Sequence, residues 1–220
     1  MTVCIAAIAE STAKTEPKIV LCYDWKVSTA IGSAENKYKL THIGADWVCL
    51  SSGNESDTIA FTRLLRLKFG YRGGDITVDE TNAIQLVRDA TAARKKEKAD
   101  ELTQGRYAIS YDDFLKIGKE KFPPEIYRDT ITEIGKLGLN ADCLVCGFAE
   151  NDPTIIETDS QGHVSIIDDF SAVGEGAYLA QAGFYSEDIL KCVRLMKQCT
   201  VSLRLKEMQS EFHLLENLHR

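Results

Sequence analysis

Trp47-Val48-Cys49-Leu50-Ser51-Ser52-Gly53-Asn54-Glu55-Ser56-Asp57 passes from one kind of structure into another within eleven residues. Its first part is a short, near-continuous apolar run, which predicts a strand covered on both faces. Gly53 ends that run. Ser56 and Asp57 stand where a helix can be capped, and Ile59, Leu64, Leu65 and Phe69 follow at helical spacing. A glycine between a strand end and a helix start exposes backbone N–H groups at the positive end of the helix dipole. Oxyanion holes are built at such places. Alone, the stretch is an ordinary strand-to-helix turn; what surrounds it gives it weight.

Upstream, Val3 to Ala9 and Lys18 to Asp24 are further apolar strand runs, separated by a polar loop holding Thr12, Lys14, Glu16 and Pro17. Shorter strands are expected near Ser28 to Ile31 and Lys39 to Ile43. Downstream, Gly70, Gly73 and Gly74 stop the first helix. Asp79 and Thr81 open a longer one, with Ile84, Leu86, Val87 and Ala90 on its apolar face. That face fades into Arg94-Lys95-Lys96-Glu97-Lys98, read as a solvated helix face projecting from the core. Asp112 to Lys119 and Pro124 to Lys136 read as two more helices broken by Pro123-Pro124. Asp142 to Phe148, Thr154 to Thr158 and His163 to Ile167 return to strand, with Asp159-Ser160-Gln161-Gly162 as a hairpin signal. From Ala177 the chain reads as helix. Strands, helices, strands and helices in turn predict an α+β sandwich with helices packed over sheets.

The 220 residues suit one large domain with a core of its own, or at most two small ones. A net charge of -7 argues against a nucleic-acid or anionic-membrane binder, either of which needs a basic field. No run approaches the roughly 20 apolar residues of a membrane helix. Val3 to Ala9 is too short, and too poor in flanking basic residues, for an export leader. The seven cysteines, at 4, 22, 49, 143, 146, 192 and 199, are odd in number, and several lie inside apolar runs. That pattern predicts free thiols and a reducing, cytoplasmic compartment. Cys143-Leu144-Val145-Cys146 has metal spacing, but in a strand residues three apart face opposite sides. The four histidines, at 42, 163, 213 and 219, have no partners at metal spacing. No metal and no cofactor is expected.

Met1-Thr2 is the first candidate for chemistry. Removal of Met1 leaves Thr2 with a hydroxyl and an α-amine on one residue. An α-amine titrates at about 7.7 to 8, so it can serve as general base for its own hydroxyl. The strand that begins directly afterwards fixes this terminus. Asp24 ends the second strand, and Lys37 and Lys39 share one face at the head of another. A buried lysine paired with an aspartate places positive charge near the amine and lowers its pKa. Spacing alone does not choose between the two lysines.

Together, Thr2, Ile19-Val20-Leu21 with Asp24, a lysine opening a strand, Ser52-Gly53 with Asp57, and Val173-Gly174-Glu175-Gly176 resemble the proteasome β-subunit group of N-terminal nucleophile (Ntn) hydrolases. Order and spacing match through the first 57 residues and again from Cys143 to Gly176. The resemblance implies one domain over 1–220, with 200–220 a divergent tail. It implies a four-layer αββα sandwich of two antiparallel sheets between helices. It also implies a threonine-type peptidase acting through an acyl-enzyme on peptide or unfolded polypeptide, in a homo- or hetero-oligomeric ring. Thr2 is then nucleophile and, through its amine, base; Asp24 and Lys39 are the supporting pair; the Gly53 N–H faces the oxyanion; Ser28 binds substrate backbone. Lys39 is favoured over Lys37 because it directly precedes the apolar strand residue, as the family's lysine does.

Two features depart from that pattern. Glu175 replaces the family's serine, and a carboxylate there raises the amine's pKa or competes for Lys39. Beyond Gly176 the chain reads as helix and tail, without the family's last two strands or their Asp-x-x-Ser. An open sheet edge follows unless a partner covers it. The alternative expectation is therefore a non-catalytic or truncated proteasome-like subunit that acts in assembly.

Overall fold

The computed structural model describes residues 2–9, 17–24, 27–29, 32–34, 39–71 and 78–185, with backbone alone at 27–29, 32–34 and 184–185. In chain order the elements are β1 (Cys4–Ala9), β2 (Lys18–Tyr23), β3 (Val27–Thr29), β4 (Gly32–Ala34), β5 (Leu40–His42), β6 (Trp47–Gly53), α1 (Glu55–Lys68), α2 (Glu80–Tyr107), α3 (Tyr111–Lys121), α4 (Pro124–Gly135), β7 (Ala141–Ala149), β8 (Asp152–Thr158), β9 (Val164–Ile167), β10 (Phe170–Val173) and α5 (Ala177–Tyr185). They form an antiparallel five-stranded sheet ordered β5-β6-β7-β8-β9, a three-stranded sheet ordered β10-β1-β2, and the β3–β4 hairpin. The architecture is α+β, as the order of runs predicts. Among the described residues no helix is long and apolar enough to cross a membrane.

The alternation of side chains in β6 and β7 builds two cores at once. Val48, Leu50, Leu144 and Cys146 point one way and meet Cys4, Ala6 and Val173 of the small sheet, with Ile155 of β8. Trp47, Cys49, Cys143 and Val145 point the other way and meet Phe61, Leu65, Val87 and Ala90 of α1 and α2. These central strands are buried on both faces, which is why their sequence is apolar at nearly every position. Cys143 and Cys146 fall in different cores, as strand geometry requires. Gly147 is fixed by the same packing: a Cβ there would lie 2.4 Å from the Trp47 ring. The small sheet is covered less on its outer side, where Val20 is 46% exposed. Helix α5 rests against β10 and β1, so the layers run helix, sheet, sheet, helix.

Three local expectations differ from what is found. Helix α1 is capped by Asn54, not by Ser56 or Asp57. The Asn54 backbone is extended, and its side-chain oxygen accepts from the Ser56 and Asp57 N–H groups at 3.0 and 3.3 Å. Ser56 and Asp57 thus already lie in the first helical turn, where an acidic residue favours the dipole. The run Arg94 to Lys98 is not a solvated face throughout. Arg94 and Lys98 are buried, at 7% and 9% exposure, because they turn inward onto Asp57. Strand β10 was not anticipated; its residues Phe170–Val173 pair with β1, Val173 opposite Cys4. The expected cap Asp79 does hold α2, accepting from Asn82 N–H at 2.7 Å.

Candidate functional site

Residue Thr2 lies just ahead of β1, whose first residue Cys4 pairs with Val173 of β10 and Tyr23 of β2. Its carbonyl accepts a hydrogen bond from Gly176 N–H at 2.8 Å, and the next carbonyl, of Val3, accepts from Asp24 N–H at 3.2 Å. The chain end is therefore held on both sides, by the turn after β10 and by the end of β2. Gly174 comes so close that a Cβ on it would lie 2.6 Å from the Thr2 oxygen and 2.8 Å from Ser52 Oγ. Its φ of +97° is open to glycine and strained for other residues.

Lys39 immediately precedes β5 and is 8% exposed. Its ammonium donates to the Asp24 carboxylate, which is itself mostly covered. The Lys39 carbonyl accepts from Ser51 N–H at 3.0 Å, locking the lysine's backbone to the end of β6. β6 then carries Ser51, buried Ser52 and Gly53 along the same opening. Gly53 has φ +114°, and a Cβ there would meet the Asn140 carbonyl at 2.6 Å and Ala141 Cα at 2.9 Å. A glycine is thus required at the strand-to-helix turn on two counts, backbone angle and space.

The structure accordingly gathers Thr2, Asp24, Lys39 and the Ser51–Gly53 strand end at one rim of the sheet sandwich. Ser28 lies in β3 opposite Ser33; its side chain is not described. Lys37 and Met1 fall outside the described residues. Glu175 is exposed in the turn between Gly174 and Gly176. Residues 186–220, read from the sequence as helix and tail without the family's last two strands, also lie outside the described residues.

Three further residues belong to this rim: Ser52 and Gly174, quoted from the sequence only as parts of motifs, and Cys4, which was not singled out. Ser52 and Gly174 face one another beside Thr2, as given above. Cys4 shares the strand face of Thr2, two residues on, and its thiol lies 3.7 Å from the Ser51 carbonyl. Burial pushes the Cys4 thiol up to about 12, Lys39 pulls it back in part, and Asp24 adds to the rise. The period-two spacing from Thr2 was the available signal for Cys4. Ser52 and Gly174 stood within the quoted motifs, but their meeting depends on β10 and was not readable from spacing. Among the described residues no cluster of histidine, cysteine and carboxylate side chains is arranged to hold a metal ion.

No protein-family model matches the chain, and no curated protein matches it. Among solved structures it is similar to the Anbu (Gly-1) mutant from Hyphomicrobium sp. strain MC1. The identity is 16% and the TM-score 0.45, over 80% of this chain and 61% of that one. The chain therefore spans less than two thirds of that protein's length.

Proposed function

We propose that the chain is a threonine-type N-terminal nucleophile hydrolase, a peptidase in which Thr2 acts once Met1 has been removed. The observation that carries this reading is the convergence of the Thr2 backbone, the buried Lys39–Asp24 pair and the Gly53 turn on one rim.

In this reading the Thr2 Oγ adds to a substrate carbonyl carbon while the Thr2 amine takes the hydroxyl proton. The negative charge that develops on the carbonyl oxygen faces the Gly53 N–H. The intermediate collapses, the C–N bond breaks, and the protonated amine returns its proton to the departing nitrogen. An ester on Thr2 Oγ remains. Water, deprotonated by the same amine, attacks that ester, and Thr2 is regenerated. In this reading the Lys39 ammonium stands near the Thr2 amine and favours its neutral form, as a like charge does. Asp24 holds that ammonium in place. Ser28 is assigned to binding of substrate backbone. Assembly into an oligomeric ring in the cytoplasm belongs to the same proposal; Val20, Tyr178 and Leu179 supply exposed apolar side chains for neighbouring subunits.

A second reading is favoured by Glu175, which stands in the turn whose two flanking glycines touch Thr2. A carboxylate there works against a neutral amine and suits a non-catalytic subunit acting in assembly. Intact mass and labelling separate the two. The peptidase reading expects loss of Met1 and covalent labelling by an epoxyketone, abolished in Thr2→Ala. A retained Met1 sinks it, because Thr2 then has no free amine. A free Thr2 that takes up no label decides for the assembly reading. Light scattering on the same sample gives the oligomeric mass.

A further inference from the structure

A buried charge cluster lies behind the Gly53 turn, on the helix side of the large sheet. Asp57, in the first turn of α1, accepts hydrogen bonds from Arg94 Nη2 at 2.9 Å and from Asn140 Nδ2 at 3.4 Å. Lys98 Nζ pairs with the same carboxylate at 2.9 Å. Two cations of α2 thus converge on one carboxylate of α1, all three of them buried. Replacing such a cluster with apolar side chains is often neutral or stabilising, so stability alone is a weak reason to keep it. What it adds is geometry. Lys98 Nζ also donates to the Gly138 and Leu139 carbonyls, at 2.8 and 3.1 Å. The next carbonyl, of Asn140, accepts Asn54 N–H at 3.0 Å and is the atom that a Cβ on Gly53 would strike first. Of three successive carbonyls, the first two are therefore held by Lys98, and the third is held by Asn54 N–H and packs against Gly53. Asn140 itself is left-handed, at φ +55°, and its N–H is tied to the Ser160 carbonyl at 3.0 Å.

We propose that the Asp57–Arg94–Lys98 cluster is a positioning device for the Gly53 turn: α2 sets the placement of the 138–140 carbonyls, and through them the direction of the Gly53 N–H. The role rests on the reading of Gly53 as the oxyanion donor. It makes Asp57, Arg94 and Lys98 positioning residues, since none of them touches the reacting atoms. It also gives the length of α2 a purpose, because one helix reaches both the first turn of α1 and the segment entering β7.

The test compares Lys98→Met with the wild type in two measurements. The first is the kinetics of epoxyketone labelling, split into reversible affinity and the rate of bond formation. The second is hydrogen exchange of the peptide covering Ser51 to Asp57. Lys98→Met is expected to slow bond formation about tenfold, less than the loss of an oxyanion donor outright, with affinity unchanged and exchange at Gly53 and Asn54 faster. Arg106→Gln, on the same helix as Lys98, removes an exposed ion pair to Glu133 of α4 and is expected to change neither. Should Lys98→Met fail to fold, Asp57→Asn, which keeps the shape and removes the charge, takes its place in both measurements. A folded variant with wild-type bond formation and wild-type exchange overturns the positioning role. A wild type with a free Thr2 that takes up no label overturns the chemical reading instead. The exchange measurement still decides whether the cluster sets the turn.

Discussion

Gly174 and Thr2 meet through backbone alone: a Cβ on Gly174 would stand 2.6 Å from the Thr2 carbonyl oxygen and 3.2 Å from its carbonyl carbon. The contact fixes the end of the chain against the turn that follows β10. Gly174→Ala therefore meets two penalties, a left-handed φ of +97° and an overlap with backbone that has no flexible end to give way. Unfolding free energy is expected to fall by about 1–3 kcal/mol, read from denaturant midpoints. Labelling of Thr2 in the remaining folded protein is expected to fall further than stability does, because Thr2, the proposed nucleophile, is itself displaced. Wild-type labelling in a folded Gly174→Ala would show that the turn does not place Thr2.

Glu175 occupies the same turn, between the glycine that touches Thr2 and the glycine whose N–H the Thr2 carbonyl accepts. A carboxylate near an amine favours the protonated amine, so its pKa rises. If the amine is the base, activity is lost on the acid side as that amine is protonated. Glu175→Ser removes the negative charge and is expected to move the acid limb of the pH–rate profile to lower pH, with the alkaline limb unmoved. A profile that does not move, in a variant that still labels, separates Glu175 from the amine.

Much of this fold was legible because the strands carry it in their composition. β6 and β7 are apolar at successive positions, and each proves to have a core on both faces. The rim of the site was legible in part, since Thr2, Asp24, Lys39 and Gly53 each sit at a strand end that a short apolar run marks. β10 was not, because Phe170–Val173 is only four residues long and gains its meaning from pairing with β1. Arg94 and Lys98 were misread for a related reason. A basic run on a helix is ordinarily solvated, and here Asp57 approaches from α1, 37 residues away from Arg94 in sequence, to make burial tolerable. Asn54 lost to Ser56 as the expected cap because capping depends on which residue is extended, a matter of backbone angle that side-chain spacing does not encode.

Asp57 and Asp142 give opposite dependences on pH. Burial alone would raise the Asp57 carboxyl, but hydrogen bonds from Lys98 and Arg94 outweigh it and hold the group below the ordinary carboxylate value. A folded pKa below the unfolded one means stability that is present above the unfolded value, about 3.9, and lost as pH falls through the folded one. Asp142 is raised, chiefly by burial, with a backbone hydrogen bond from Ser160 opposing and Asp159 adding to the rise. Its ionised form is the disfavoured one, so it lowers stability once pH passes above the unfolded value. Asp142→Asn is therefore expected to be more stable than wild type at pH 7, with the gain vanishing near pH 3. Asp57→Asn is expected to be less stable at pH 7, by about 3–5 kcal/mol for a broken buried pair, and to converge on wild type in acid. Urea midpoints across pH 3 to 7 check both; curves that run parallel to wild type would refute the assignment.

The described cysteines should divide sharply in reactivity. Cys22 is exposed on the outer side of β2, while Cys4, Cys49, Cys143 and Cys146 are buried. Thiolate is the reactive form, and burial pushes the Cys4 thiol up to about 12 and Cys146 well above its usual value. Cys143 is also raised, by its contact with Cys49 first and by burial second. At pH 7.5 iodoacetamide is expected to modify Cys22 in the native protein and to reach the other four only as the protein unfolds, which peptide mapping resolves site by site. The result bears on the chemistry as well as the packing. Cys4 lies on the strand face of Thr2 and beside the Lys39–Asp24 pair, so an ionised thiol there would rival the Thr2 hydroxyl as nucleophile. Held neutral, Cys4 does not compete with Thr2 in the proposed chemistry. Modification of native Cys4 at the rate of Cys22 would overturn that view of the site.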